Sequence, residues 1–186
     1  ERRTEMIFVY IAEGFEEIEA LTPVDVLRRA GLETETVSLG ESLQVTGAHG
    51  ITIVCDRTLE GSAETAIDAL ILPGGMPGAA NLAGSEVLLD RIRRESARGT
   101  LICAICAAPM VLAKAGVLQG RKATIYPGME QELPGAVLCR DRVCTDGNII
   151  TSRGPATAMP FALEILKELA GIPARGRVQE GMLFHD

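Results

Sequence analysis

The sequence predicts an α/β protein built on a mostly parallel sheet with helices on both faces, and two observations lead there. Short aliphatic runs nearly free of charge recur at 6–11, 68–72 and 101–105, as strands covered on both faces require. Between them lie amphipathic stretches of about a dozen residues, closed by glycine, that suit helices. Alternation of the two kinds of segment gives strands joined by crossover helices. With 186 residues, 47% of them hydrophobic, residues 6–186 have ample material for a single domain. Glu1 to Glu5 precede the Met that opens the first strand and read as an expression remnant or a frayed end.

Taken in order, Met6 to Ile11 is a central strand, and Phe15 to Ala30 is a helix with apolar positions at Ile18, Leu21, Val24, Val26 and Leu27. Pro23 is expected to kink or split that helix. Strands follow at 33–39 and 51–55, then a short helix at 62–66 at best. The strand 68–72 ends in Pro73-Gly74-Gly75, where two glycines leave backbone N–H groups bare at its carboxyl end. Ser85 caps a helix running to Arg98 and stopped by Gly99. After the strand 101–105 and its helix come strand-like pieces at 122–125, 136–139 and 142–144. Asp146-Gly147 then turns a hairpin into 148–152, and a last helix spans 156–169, stopped by Gly171 and Pro173.

Net charge of −7 and a pI near 5.0, with Lys and Arg mostly beside acids, argue against nucleic acid as a partner. No apolar run approaches a membrane span, and no signal-peptide pattern opens the chain, so the expected location is the cytoplasm, away from membranes. Five cysteines, an odd number, do not suggest a disulfide scaffold. Cys103 and Cys106 form a CxxC, but three strand steps separate their Cα atoms by about 10 Å, beyond bridging distance. Cys55, Cys139 and Cys144 read as buried inert thiols. The two histidines, His49 and His185, stand far from any cysteine pair, so no zinc site is expected. No nucleotide motif appears either, and the expectation is a protein without a cofactor.

The chemistry concentrates in Leu101 to Ala115, LICAICAAPMVLAKA. A buried strand turns sharply at Cys106 into a helix expected from Ala107 or Ala108, with Pro109 in its first turn. Placed at a helix N-terminus, a thiol is expected to have a lowered pKa and to act as a nucleophile on an elbow. The plainer reading makes Cys106 a small buried hydrophobe. Glu16, Glu17 and Glu19 suit the start of a helix. Of these, Glu19 lies among Ile18, Ala20 and Leu21, so it is the one expected to be buried, with a raised pKa.

Four motifs in this order, EGFEEIEALTPVDVLRRAG, LPGGMPGA, AICAAP and TSRGP, make the chain from Met6 to about Gly171 resemble the ThiJ/PfpI superfamily, and within it the DJ-one (parkinsonism protein) branch. The resemblance implies a flavodoxin-like three-layer α/β sandwich and a homodimer. It also implies a nucleophilic Cys106, a Glu19 that shares a proton with the thiolate, and an oxyanion pocket from the backbone of Gly75 and Ala107. Gly74, Tyr126 and Arg153 would stand around that core. Activities ascribed to relatives include glutathione-independent glyoxalase, protein deglycase, holding chaperone, oxidative-stress sensor and, in another branch, intracellular peptidase.

The leading expectation is a cofactor-free enzyme for small reactive carbonyl substrates, the α-oxoaldehydes. The rival is an oxidation sensor or chaperone working through Cys106. Peptidase members place a histidine after the cysteine, where this chain has Ala107, and many DJ-one relatives carry a histidine where Tyr126 stands here. A Cys–His mechanism therefore lacks its base unless His49 or His185 arrives in space.

Overall fold

The computed structural model describes residues 6–185; the expectation for Glu1 to Glu5 falls outside the described residues. In chain order, β1 (Ile7–Ile11) leads to α1 (Glu17–Arg29) and β2 (Thr34–Ser38). A ribbon of β3 (Gln44–Thr46) and β4 (Thr52–Val54) follows, then β5 (Arg57–Thr58), β6 (Ala69–Leu72), α2 (Gly78–Ala83), α3 (Glu86–Arg98), β7 (Leu101–Ile105) and α4 (Pro109–Ala115). Last come β8 (Lys122–Ala123), β9 (Val137–Leu138), β10 (Val143–Asp146), β11 (Ile149–Ser152), α5 (Ala158–Ala170) and α6 (Ile172–Gly181).

Seven strands form the main sheet in the order β10-β11-β7-β6-β1-β2-β5. All neighbours are parallel except β10, the outer arm of the 146–149 hairpin. The run β2-β1-β6-β7-β11 is the flavodoxin-like order, so the expected fold is the one found. Strand alternation divides the core in two. Phe8 and Tyr10 face one way with Leu70, Leu72, Ile102 and Ala104, against Leu82, Leu88, Ile92 and Leu112 of α2, α3 and α4. Ile7, Val9 and Ile11 face the other way with Ile71, Cys103 and Ile105, against Val26 and Leu27 of α1 and Phe161 and Ile165 of α5.

Several local expectations are corrected. Pro23 lies inside α1 without splitting it, because the helix is held along its length by packing on α5. The stretch 51–55 joins no main-sheet strand; its middle pairs with β3 in a separate ribbon. The helix expected near 62–66 is a 3-10 turn at Glu60–Ser62. α2 was hidden in a glycine- and alanine-rich stretch, and Pro173 opens α6 where it was expected only to end α5. Proline suits a first helical turn, since the N–H it lacks would be unpaired there.

The order in which strands are added to the sheet reverses between the parallel neighbours β1 and β6, which places a crevice beyond their carboxyl ends. The segments leaving β1, β6 and β7 meet there.

Candidate active site

β7 ends at Ile105, and Cys106 takes a left-handed backbone conformation, φ 64°. For a residue other than glycine this costs on the order of 1–3 kcal/mol and persists only where the surroundings impose it. They do so by gripping both its backbone groups. The Cys106 N–H donates to the Ser152 carbonyl at 3.0 Å, and its own carbonyl accepts the Tyr126 N–H at 2.9 Å. The first helical residue of α4 is Pro109, with Ala108 as cap. The helix thus starts one or two residues later than the sequence suggests, and Cys106 stands further from its N-terminus.

Glu19 comes from the first turn of α1 and has no exposed surface. Its carboxyl meets the Cys106 thiol. Oε2 accepts the Gly74 N–H at 2.8 Å, and Oε1 has no conventional nitrogen or oxygen partner. Its burial does not come from the apolar neighbours expected from the sequence, since Ile18 and Leu21 are exposed and Glu17 is buried as well. Helix geometry separates the two acids: Glu19 faces the crevice, whereas Glu17 turns toward the 47–51 loop. There Glu17 Oε1 accepts the His49 N–H at 2.8 Å and Oε2 pairs with His49 Nδ1 at 2.8 Å.

Glycine at 74 is required by a close approach. A Cβ there would lie 2.7 Å from both Cys106 Cβ and Glu19 Oε2. Gly75, at φ 86°, likewise leaves no room for a side chain beside the Glu16 backbone. Loop is sewn to loop here, with the Glu16 N–H on the Gly74 carbonyl at 2.9 Å and the Gly78 N–H on the Gly14 carbonyl at 3.2 Å. In this arrangement the N–H groups of Gly75 and Ala107 both point to the Cys106 sulfur.

Burial, followed by the charge of Glu19, pushes the Cys106 thiol up to about 12. The Gly75 and Ala107 N–H groups pull the other way by less. This reverses the lowered thiol pKa expected from a helix end, for two physical reasons: burial disfavours the thiolate, and the nearest charge is negative. Burial also pushes Glu19 up to about 7, against the hydrogen bonds from Cys106 and Gly74. Between these two values the pair holds one proton. A thiol beside a carboxyl that titrates near neutrality can give up its proton as it attacks, which is what nucleophilic catalysis without histidine needs.

The remaining residues stand further out. Tyr126 is exposed, contributes its backbone N–H to Cys106, and lays its ring beside Gly154. Arg153 Nη1 donates to the Arg140 carbonyl at 3.2 Å and makes no hydrogen bond to Glu19 or Cys106. Ser152, whose carbonyl anchors the elbow, was not singled out from the sequence; its place at the start of the SRGP run, beside the elbow strand, was the available signal. His49 is drawn to Glu17 and, at 3.5 Å, to Glu16. These three are the one group among the described residues whose donor atoms could hold a metal ion, all within 4.8 Å of one another.

The sequence profile of the DJ-1/PfpI family matches residues 5–168. The chain belongs to this family. Among curated relatives, protein dj-1beta of Drosophila melanogaster is 41% identical over 177 residues, covering 94% of this chain and 95% of the relative. The crystal structure of Drosophila melanogaster DJ-1beta superposes with a TM-score of 0.95 at 39% identity, covering 98% of this chain and 100% of the other. Oxidised Toxoplasma gondii DJ-1 gives a TM-score of 0.94 at 34% identity, with the same coverage.

The Glu19 pKa has a consequence for stability in this DJ-1/PfpI protein. Folded Glu19 keeps its proton to about pH 7, whereas an unperturbed glutamate releases it near 4.5. The folded state therefore binds more protons in this interval, so stability falls as pH rises through it. The full effect is up to about 3 kcal/mol at 1.36 kcal/mol per unit. Urea unfolding at pH 5 and pH 8 is expected to show this loss in the wild type and its absence in Glu19→Gln. Parallel pH profiles for the two proteins would place the Glu19 titration elsewhere.

Proposed function

We propose that the protein is a cofactor-independent cysteine enzyme for reactive α-oxoaldehydes, of the glyoxalase III or deglycase kind. The observation that supports this most is the thiol and carboxyl that share one proton beneath two backbone N–H donors. In this reading the Cys106 sulfur adds to the aldehyde carbon of methylglyoxal while its proton passes to Glu19. The N–H groups of Gly75 and Ala107, already aimed at the sulfur, hold the oxyanion that forms beside it. Glu19 returns that proton to the oxyanion, giving a hemithioacetal, and then carries a proton from the former aldehyde carbon to its neighbour through an enediol, leaving a lactoyl thioester. Water cleaves the thioester, lactate leaves, and the thiol regains its proton. Ala107 after the cysteine and the engagement of His49 by Glu17 weigh against a Cys–His peptidase.

A second reading has one observation in its favour. The same two N–H groups and a protonated Glu19 would stabilise a sulfinate at Cys106, and the Toxoplasma relative was solved oxidised. A redox-sensing or chaperone role would then act through that oxidation. No described helix is long and apolar enough to cross a membrane, which accords with the cytoplasmic location we propose. We also propose a homodimer, supported by the exposed apolar Ile18 and Leu21 on α1 and Ile51 next to it.

Pure protein with methylglyoxal and no glutathione is expected to yield lactate, with none above background from Cys106→Ala. Glu19→Gln should lose at least 100-fold of this turnover, since general acid–base catalysis contributes 10²–10⁴-fold, whereas Glu16→Gln should keep most of it. Loss in Glu16→Gln with retention in Glu19→Gln would assign the wrong carboxylate. The sensing reading predicts a gain of two oxygens confined to Cys106 after mild peroxide; oxidation spread over all five cysteines would count against it. Sedimentation equilibrium at micromolar concentration checks the dimer: a monomer mass there, or a dimer unaffected by Leu21→Glu, would remove this interface.

A further inference from the structure

Away from the crevice, the fold brings Cys139 and Cys144 together. β9 ends at Leu138, and the next residue, Cys139, donates its N–H to the Ala123 carbonyl of β8 at 2.9 Å. β10, which carries Cys144, packs against β8 as well, tied by the Lys122 N–H to Asp146 Oδ2 at 2.8 Å. Residues 140–143 fold back between the two cysteines, and the Cys144 thiol meets the Cys139 side chain. The expectation of two separate inert thiols is corrected by this contact and by the exposure of Cys139, which is only half-buried.

The two sulfurs are not equivalent. Cys144 is buried within β10. Cys139 points its thiol to Asp141 Oδ2 at 3.4 Å and lines a cavity of about 240 Å³ shared with Thr124, Glu130, Arg140 and Arg153. A peroxide, little larger than the roughly 30 Å³ of a water molecule in the liquid, fits in that space. Cys139 is therefore the accessible thiol, with a carboxylate placed to receive its proton, and Cys144 is the sheltered one behind it.

We propose that Cys139 and Cys144 form a second oxidation site, a dithiol that closes to an intramolecular disulfide when a hydroperoxide reaches Cys139. In the first step the Cys139 sulfur attacks one peroxide oxygen. The O–O bond breaks, sulfenic acid forms, and the other oxygen leaves as water or alcohol with the thiol proton. In the second step the Cys144 sulfur attacks the Cys139 sulfur. The S–S bond forms, the S–OH bond breaks, and the hydroxyl departs as water with the Cys144 proton. Two thiols lose two electrons and two protons, and the peroxide is reduced by two electrons. Closure spans only residues 139–144, so little chain entropy is lost. Arg140 lies inside the closed loop, and the new bond fixes the carbonyl on which Arg153 is anchored.

The test treats the full chain with equimolar hydrogen peroxide, blocks remaining thiols with iodoacetamide, and digests with trypsin without reductant. Cleavage after Arg140 and Arg142 separates the two cysteines, so their peptides stay joined only through sulfur. The expected result is a Cys139–Cys144 cross-linked pair two hydrogens lighter than the sum of its parts, lost on adding dithiothreitol. It should form equally in Cys106→Ala, which separates this site from the proposed catalytic thiol, and vanish in Cys139→Ser and in Cys144→Ser. Alkylation of both thiols after peroxide, independent oxygen addition to each, or a cross-link found only between two chains would overturn the proposal.

Discussion

The Glu19 carboxyl lies wholly out of water against the Cys106 thiol, with a single backbone N–H, that of Gly74, on its Oε2. Desolvation of a carboxylate is expensive, and here it is offset only by the Gly74 N–H and the Cys106 thiol where two oxygens could accept several hydrogen bonds. The group responds by holding its proton toward neutrality, and its charge, once released, opposes ionisation of the thiol beside it. The reactive unit is therefore the pair. Burial brings the carboxyl's titration to neutrality, and the thiol beside it supplies the proton that the carboxylate can accept.

Around that pair the backbone supplies what side chains do in other nucleophile sites. Gly74 lets the carboxyl and the cysteine approach within a distance any Cβ would forbid, and Gly75 and Ala107 present N–H groups to the sulfur. The strain at Cys106 is carried by its hydrogen bond to the Ser152 carbonyl of β11 and by the one it accepts from the Tyr126 N–H. Parallel register fixes these distances, because β6 and β7 pair from Ala69 on Leu101 to Leu72 on Ala104 and so end side by side. A strand slipped by one residue would turn Gly74 away from the elbow.

Further out, polar contacts tie peripheral segments to the site's framework. The 47–51 loop is held on α1 by Glu17, which accepts from the His49 backbone and ring. This engagement ties the His49 ring to Glu17. On the other flank, Arg153 is held by Arg140 in the loop between Cys139 and Cys144, which sets the surroundings of the elbow strand's neighbour β11.

The sequence alone determined the alternation of strands and helices, the elbow at Cys106 and the glycines after β6. These are legible because each depends on local chemistry: aliphatic runs, a proline after a turn, two glycines. The four motifs added the family and, with it, most of the case for Glu19 over Glu17, which shares its helical turn and its burial. Helices α2 and α6 were not legible, since neither a glycine-rich start nor the Gly171-Ile172-Pro173 run carries a helical period. What only the tertiary structure decided is electrostatic and long-range. Burial of Glu17, the direction of the thiol's pKa shift and the meeting of Cys139 with Cys144 all follow from segments brought together across the chain. The energy of a charge depends on what surrounds it in space, and no pattern within a dozen residues records those surroundings.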